Sequence, residues 1–570
     1  RQAKYLMSSP AITVGNDVSC KDANDLLTRY NINALLVTEN HNGQDTLCGY
    51  ITRQVIEKAL YHKLELVPVK EYMTTEMATV EPDADLNEVQ EKIIENKQRV
   101  LPVVENTTIA GVITRTDLLN ILVRQSKKDS AGLPDPLQEP THAQTRNVVK
   151  FMKERLNPRL VNILKTIGEV ADECGYGAYV VGGFVRDLFL YRSDEDVDIV
   201  IEGDGIAFAK TYAKLQKARI HTYEKFGTAV IIFEDGFKID VASARLEYYK
   251  FPAALPIVEM SSIKLDLFRR DFTINTLAIQ LNKEKFGTLI DFFSARKDLK
   301  EKIIRVLHNL SFVEDPTRVF RAIRFEQRFG FTIGKLTSRL IENAVNMNFF
   351  RDLSGRRVLT ELKQILQEDN PVPAIIRLNG LDLLKFIHPS IEVDKRLISV
   401  LNSAKQALAW HDLLFLDESY MKWIVYFLVL INSCDLKRSE EICNRFELGP
   451  HYRKIFCRER FKAEKTILEL ARTLPLPNSA LYRKLSEFRT ELILFMMAIT
   501  RQKKVKKAIS HYFTGLRKVG VSISGKDLIK LGLKPGPIYR DIFQAALDAK
   551  LNGKLKTKKD ELDFARNYVP

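Results

Sequence analysis

The first 125 residues carry the same pattern twice, and no other feature of the chain limits its folding so sharply. "MSSPAITVGNDVSCKDANDLL" from Met7 returns as "MTTEMATVEPDADLNEVQEKI" from Met73, and "LCGYITRQVIEKAL" from Leu47 returns as "IAGVITRTDLLNIL" from Ile109. The offset shrinks from 66 to 62 residues, so the first copy has four extra residues in its turn "ENHNGQD". Each unit reads helix, strand, strand, helix: a short apolar run ("ALLV", "LPVV"), a polar turn, a second strand and a closing helix. A period of this length is one supersecondary unit used twice.

Residues 126–145 hold three prolines and little apolar periodicity, which reads as a linker. An amphipathic helix is expected over roughly 146–173, then strands at 178–182, 196–201, 226–233 and 237–242, and an almost wholly helical pattern beyond 297. At 570 residues several domains are expected. The order is repeat module over 1–125, α/β core over 146–296, a helical segment over 297–370, and a helical body and tail over 371–570.

Charge is concentrated at one end. Between Arg501 and Asp560 sixteen Lys/Arg stand against four Asp/Glu, which is +12 of the whole chain's +15. Such a region attracts phosphate backbones by counterion release, so nucleic acid leads over a merely solvated lysine-rich surface. The six cysteines form no C-x-x-C pair and do not cluster with the histidines, which argues against a zinc site or a disulfide framework and fits a reducing, cytoplasmic compartment. Apolar runs such as "WIVYFLVLI" at 423–431 are about half the ~20 residues a membrane span needs, so they read as core helices and no membrane partner is expected. The chain begins with Arg1 rather than Met, which leaves open what precedes it.

The chemistry concentrates in "VVGGFVRDLFLYRSDEDVDIVIE" at 180–202. Residues i and i+2 of a strand point to one face, so Asp196 and Asp198 project side by side, with Asp194 one step out in the turn. Paired carboxylates repel, and a hard divalent cation such as Mg2+ is the usual remedy. Asp240, alternating with Ile239 and Val241 in "FKIDVASAR", faces away from the apolar residues and could join them. Gly182 and Gly183 close a strand and open a helix, where a phosphate can approach backbone N–H groups, with Arg186 as a charge-assisted donor.

Two resemblances follow from these residues. The repeats resemble tandem CBS domains, which often bind adenine nucleotides through a Thr and an Asp at the closing strand–helix junction. Thr114 and Asp117 match in the second copy, whereas the first has Thr52 but Val55. An adenine nucleotide there, and self-association through the paired repeats, are what that resemblance implies; a purely structural module is the alternative. "GGFVRD", a spacer and "DVD" resemble the nucleotidyltransferase head of the DNA polymerase beta superfamily. With "LFRRDFTINTLAI" at 267–279, "EDPTRVFRAIRF" at 314–325 and "ISGKDLIKLGLKPGPIYRDIF" at 523–543, the resemblance narrows to class II tRNA nucleotidyltransferases and bacterial poly(A) polymerases.

That resemblance implies an α/β head followed by an all-α neck, body and tail, with two Mg2+ ions held by Asp196 and Asp198 and with Asp240 as a third catalytic carboxylate. Gly182, Gly183, Arg186, Arg270, Asp271 and Asn275 would face the nucleotide, Asp271 through a ribose 2'-hydroxyl; a salt bridge to Arg269 or Arg270 is the alternative for Asp271. Asp315, Arg318, Arg321 and Arg324 would form the base-selecting helix. Asp315 offers only acceptors and Arg318 only donors, which suits the pairing edges of A and C and leaves G and U unpaired. Taken locally, the same residues are a helix cap followed by Pro and a basic helix face. Lys526, Lys530 and Lys534 would grip tRNA in the tail, where a packed hairpin with incidental lysines is the alternative. The partners implied are a tRNA 3' end and ATP or CTP. The activity implied is terminal A addition first, full CCA addition second and poly(A) synthesis third. A nucleotide sensor with a degenerate core is the reading from a different class.

Overall fold

A computed structural model describes residues 2–30, 32–41, 44–95, 98–114, 144–192, 196–248, 257–260, 262–416 and 418–568. Asp117, Asp194, most of the linker and the helix expected to close the second repeat lie outside the described residues. The chain divides into two compact units, Arg1–Leu353 and Ser354–Pro570.

In the first unit the two repeats pack with exchanged leading segments. Gly49 sits so close to the segment opening the second copy that a Cβ there would lie 2.6 Å from the Thr74 carbonyl oxygen. Its counterpart Gly111 would meet the Ser8 carbonyl at 2.8 Å. This close approach is what the glycine of each second strand allows. The hairpins Ala34–His41/Gln44–Thr52 and Val100–Glu105/Thr108–Thr114 each shift register at the matching place, Val37/Thr38 and Val103/Val104.

The head is an eight-stranded mixed sheet. Its strands are β1 (Gln144–Asn147), β2 (Gly177–Val181), β3 (Val197–Glu202), β4 (Arg219–Tyr223), β5 (Thr228–Ile232), β6 (Lys238–Ser243), β7 (Leu277–Gln280) and β8 (Thr288–Asp291), in the order β1-β8-β7-β2-β3-β6-β5-β4. Only β3 and β6 pair in parallel. The expected strands near 178, 196, 226 and 237 are present; β4, β7 and β8 escaped the sequence reading. Gln144 and Thr145, placed in the linker by their surroundings, pair with β8. The single helix expected over 146–173 is instead the end of β1, a helix Val149–Arg155, and α1 (Pro158–Cys174). The break falls at Pro158, which takes the first position of a new helix where its missing N–H costs nothing. Asn157 caps α1 by accepting from Leu160 N at 2.7 Å, and Gly175 ends it in the left-handed region.

Apolar residues of β2, β3 and β7 pack with Ile263 and Leu267 into one core layer: Tyr179, Val181, Val200 and Ala278 are nearly inaccessible. The polar residues Asp198 and Asp240 lie opposite each other on the adjacent interior strands β3 and β6.

The second unit is helical among its described residues. Every residue of Trp423–Leu430 is buried, so "WIVYFLVLI" is a core helix as expected. No helix among the described residues is long and apolar enough to cross a membrane. Helix Gly355–Gln367, grouped by sequence with the neck, belongs to this unit. The tail folds around Ile523, Leu528, Ile542, Ala546 and Ala565.

Candidate active site

The parallel pairing of β3 and β6 sets the register that builds the site. Asp198 lies directly opposite Asp240, and Asp196 precedes β3 by one residue. One carboxylate oxygen from each of Asp196, Asp198 and Asp240 lies within 4.8 Å of the others. Asp196 and Asp240 are exposed and Asp198 is half-buried, so the cluster opens to solvent on one side. Partial desolvation by the surrounding strands, and then the negative charge of Asp196, push the Asp240 carboxyl above its ordinary range. Three hard oxygen donors on one open face suit a divalent cation that keeps room for water or phosphate oxygens.

The glycine turn adjoins these carboxylates. Gly182 has φ 71° and ψ −130°, a conformation that favours glycine, and caps α2 (Gly183–Phe189). A Cβ at Gly182 would lie 2.6 Å from Arg270 Nη1 and 3.7 Å from Asp198 Oδ2, so the turn, the guanidinium and the carboxylate share one small space. A Cβ at Gly183 would instead lie 3.5 Å from Arg186 Nη2.

Arg186, expected to reach an anion, is turned inward and only 4% exposed. It forms a two-pronged pair with Asp187 at 2.9 and 2.8 Å, donates to Asn275 Oδ1 at 2.6 Å, and lies over the rings of Phe329 and Phe325. Asn275 in turn donates to Asp271 Oδ1 at 2.8 Å, and Asp271 Oδ2 accepts from Arg321 at 2.7 Å. Burial alone would raise the Asp271 pKa; Arg321 and Asn275 overcome it and hold the carboxyl down at about 2. The partner of Asp271 is therefore Arg321, and not the Arg269 or Arg270 weighed from sequence.

Those two arginines share Asp266, which sequence reading missed. Asp266 is fully buried and accepts from Arg269 Nη2 at 2.8 Å and Arg270 Nη2 at 3.3 Å. The i, i+3, i+4 spacing of Asp266, Arg269 and Arg270 at a helix end was the available signal.

In "EDPTR" Asp315 is extended, at φ −140° and ψ 93°, between a short helix Ser311–Glu314 and α3 (Arg318–Phe329). Asp315 lies outside the helix that carries Arg318 because the following proline disfavours the helical conformation before it. Asp315 Oδ1 accepts from Thr317 N at 3.0 Å. Arg318 is 5% exposed and donates to Ser311 Oγ at 2.7 Å and to the Arg269 carbonyl at 2.8 Å. Arg321 is half-buried, and the Arg324 guanidinium lies 4.9 Å from the Phe325 ring centre.

Elsewhere, Lys526, Lys530 and Lys534 are all exposed in the tail. Thr114 ends its strand opposite Val100, and Thr52 caps the helix that follows it by accepting from Val55 N.

Three carboxylates converging beside a glycine turn suit the handling of a triphosphate, and the families that match the chain give the class, a nucleotidyltransferase head. The family described as "Poly A polymerase head domain" matches residues 178–305, "CBS domain" matches 3–62 and 69–124, and "Probable RNA and SrmB- binding site of polymerase A" matches 330–395. The chain is 46% identical over 570 residues to an A-adding tRNA nucleotidyltransferase of Geobacter sulfurreducens, covering 99% of this chain and 64% of that protein. It is 33% identical over 538 residues to the A-adding tRNA nucleotidyltransferase of Aquifex aeolicus, covering 94% and 61%. It therefore spans less than two thirds of the length of these relatives. The solved Thermotoga maritima CCA-adding enzyme complexed with tRNA aligns with a TM-score of 0.56 at 33% identity, over 74% of this chain and 98% of that one. The chain belongs to the tRNA nucleotidyltransferase and poly(A) polymerase family, with tandem CBS domains ahead of the head.

Proposed function

We propose that the chain adds the terminal A of the CCA end: the 3'-hydroxyl oxygen of a tRNA ending in CC bonds to the α-phosphorus of ATP, the α–β phosphoanhydride bond breaks, and pyrophosphate and the hydroxyl proton leave. The observation that carries this reading is the convergence of Asp196, Asp198 and Asp240 beside Gly182 and Arg270. Those carboxylates fit Mg2+ ions, which when bound neutralise charge on the reacting and leaving phosphate oxygens. Arg270, anchored by Asp266, presents its guanidinium to the space beside Gly182, where a triphosphate would lie.

Arg186 and Asn275 act from behind, by tying α2 to Asp271 and so to Arg321. Asp271 is 7% exposed and engaged on both oxygens, so it serves the nucleotide by orienting Arg321. Asp315, Arg318 and the outer arginines of α3 would read the base, and a wrong base would leave buried donors or acceptors unpaired.

The choice of A over full CCA addition follows the two A-adding relatives. The basic tail with Lys526, Lys530 and Lys534 would take the tRNA backbone, the CBS pair an adenine nucleotide near Thr114 or a second copy of the chain, and the cytoplasm is where such a reaction would run. The test offers transcripts ending at the discriminator base, at C and at CC, each with ATP or CTP alone. A appearing only on the CC-ending transcript supports A addition; incorporation of C sinks it.

A further inference from the structure

Glu314 stands next to Asp315 in the sequence, yet its carboxylate is held by the first CBS repeat. Its Oε1 accepts from Lys58 Nζ at 2.7 Å, on the helix Arg53–Tyr61, and lies 3.9 Å from His62 Nε2; its Oε2 lies 3.2 Å from His308 Nε2. The Glu314 side chain is 9% exposed. Burial pushes its pKa up, but His308, His62 and Lys58 together outweigh that and keep it anionic.

The turn before it is bound in the same way. Asn309 Nδ2 donates to the Tyr72 carbonyl at 2.6 Å and to Thr74 Oγ1 at 3.2 Å. On the other side of this inter-repeat segment, Arg339 donates to the Met73 carbonyl at 2.6 Å and Asn343 to the Glu71 carbonyl at 3.1 Å. The short helix pinned by these contacts then sets the base-reading pair. The Asp315 N–H donates to the Ser311 carbonyl at 3.1 Å, and Ser311 Oγ accepts from Arg318.

We propose that Lys58 of the first CBS repeat and Glu314 are positioning residues for nucleotide choice: their ion pair, in which Glu314 is buried and Lys58 half-buried, fixes where Asp315 and Arg318 stand. The inference rests on the reading of that pair as base-selecting. Removing Lys58 takes from the buried Glu314 carboxylate its lysine partner and leaves it to His308 and His62, which weakens the tie between the short helix and the repeat. The repeats are then a working part of the synthetic site and not an appended module.

The test uses the full chain with Lys58→Met, Glu314→Gln and the conservative Lys58→Arg, on a CC-ending transcript. The readout is the ratio of kcat/KM for ATP to that for CTP. Lys58→Met and Glu314→Gln should each lower the ratio by about 5-fold or more, the low end of typical coupling between sites, chiefly through KM for ATP. Lys58→Arg should restore it to within about two-fold, since it keeps the charge. Circular dichroism and urea unfolding check that each variant is folded. An unchanged ratio in both charge-removing variants, or an equal fall for both nucleotides, overturns the proposal. If the wild-type chain adds no A at all, the activity reading fails; equilibrium binding of ATP and CTP to the same variants then still decides whether Lys58 sets nucleotide preference.

Discussion

Asn275 receives Arg186 Nη1 on its Oδ1 at 2.6 Å, and through its Nδ2 it passes that contact on to Asp271. The bond joins the helix after the glycine turn to the segment that orients Arg321, so residues 89 positions apart are fixed by one amide. Replacing Asn275 with Ala removes an acceptor from a buried guanidinium and a donor from a buried carboxylate. Stability should fall by about 1–3 kcal/mol, the cost of stranding buried polar groups. Urea unfolding should show a lower midpoint at unchanged slope, together with a raised KM for ATP. An unchanged midpoint would show that the amide is not the link described.

Arg321 controls the charge on Asp271, and pH reveals it. The Asp271 carboxyl is held at about 2 against an ordinary 3.8, so its contribution is present above pH 4 and is lost as pH falls toward 2. A shift of nearly two units corresponds to about 2–3 kcal/mol. In Arg321→Met the upward push of burial is less opposed, so the loss of stability on acidification should still begin near pH 4 but end at higher pH, with smaller total amplitude. Unfolding midpoints measured from pH 2 to 6 for both proteins check this.

Asp298 carries the opposite sign. It is buried behind the Arg270–Asn275 segment, accepts from Thr273 Oγ1 at 2.5 Å and lies 3.2 Å from Arg305 Nε, yet burial lifts its carboxyl to about 6. A raised carboxyl pKa means that stability is present below pH 4 and is lost as pH rises from about 4 through 6, by about 2–3 kcal/mol. Asp298→Asn keeps an acceptor for Thr273 and should remove that slope. Midpoints that fall equally between pH 4 and 7 in both proteins would contradict it.

Much of this was legible in the sequence, for reasons the structure makes plain. The repeat and the β3 run follow from local patterns, and Asp196, Asp198 and Asp240 converge because strand alternation puts them on one face. Short strands such as β7 and β8, four residues each, carry too little pattern to read. What Arg186 does was hidden because a guanidinium near a glycine turn can face a ligand or an internal carboxylate. Only the packing of Asp187, Asn275 and Phe329 decides between them. Asp315 stands extended between two helices because Pro316 follows it, a signal readable in the sequence. Lys58 and Glu314 meet across 256 residues, a contact that no local pattern encodes.

The central claim is that the three carboxylates on β3 and β6 perform the transfer. It is tested most directly by single-turnover extension of a CC-ending tRNA with ATP and Mg2+ by Asp198→Asn, alongside gel-shift binding of the same tRNA. Loss of one carboxylate charge from the cluster should slow extension by about 1,000-fold or more, the scale on which preorganised charge acts in such sites, while tRNA affinity stays within about two-fold. Extension at the wild-type rate by a folded Asp198→Asn protein would contradict the claim.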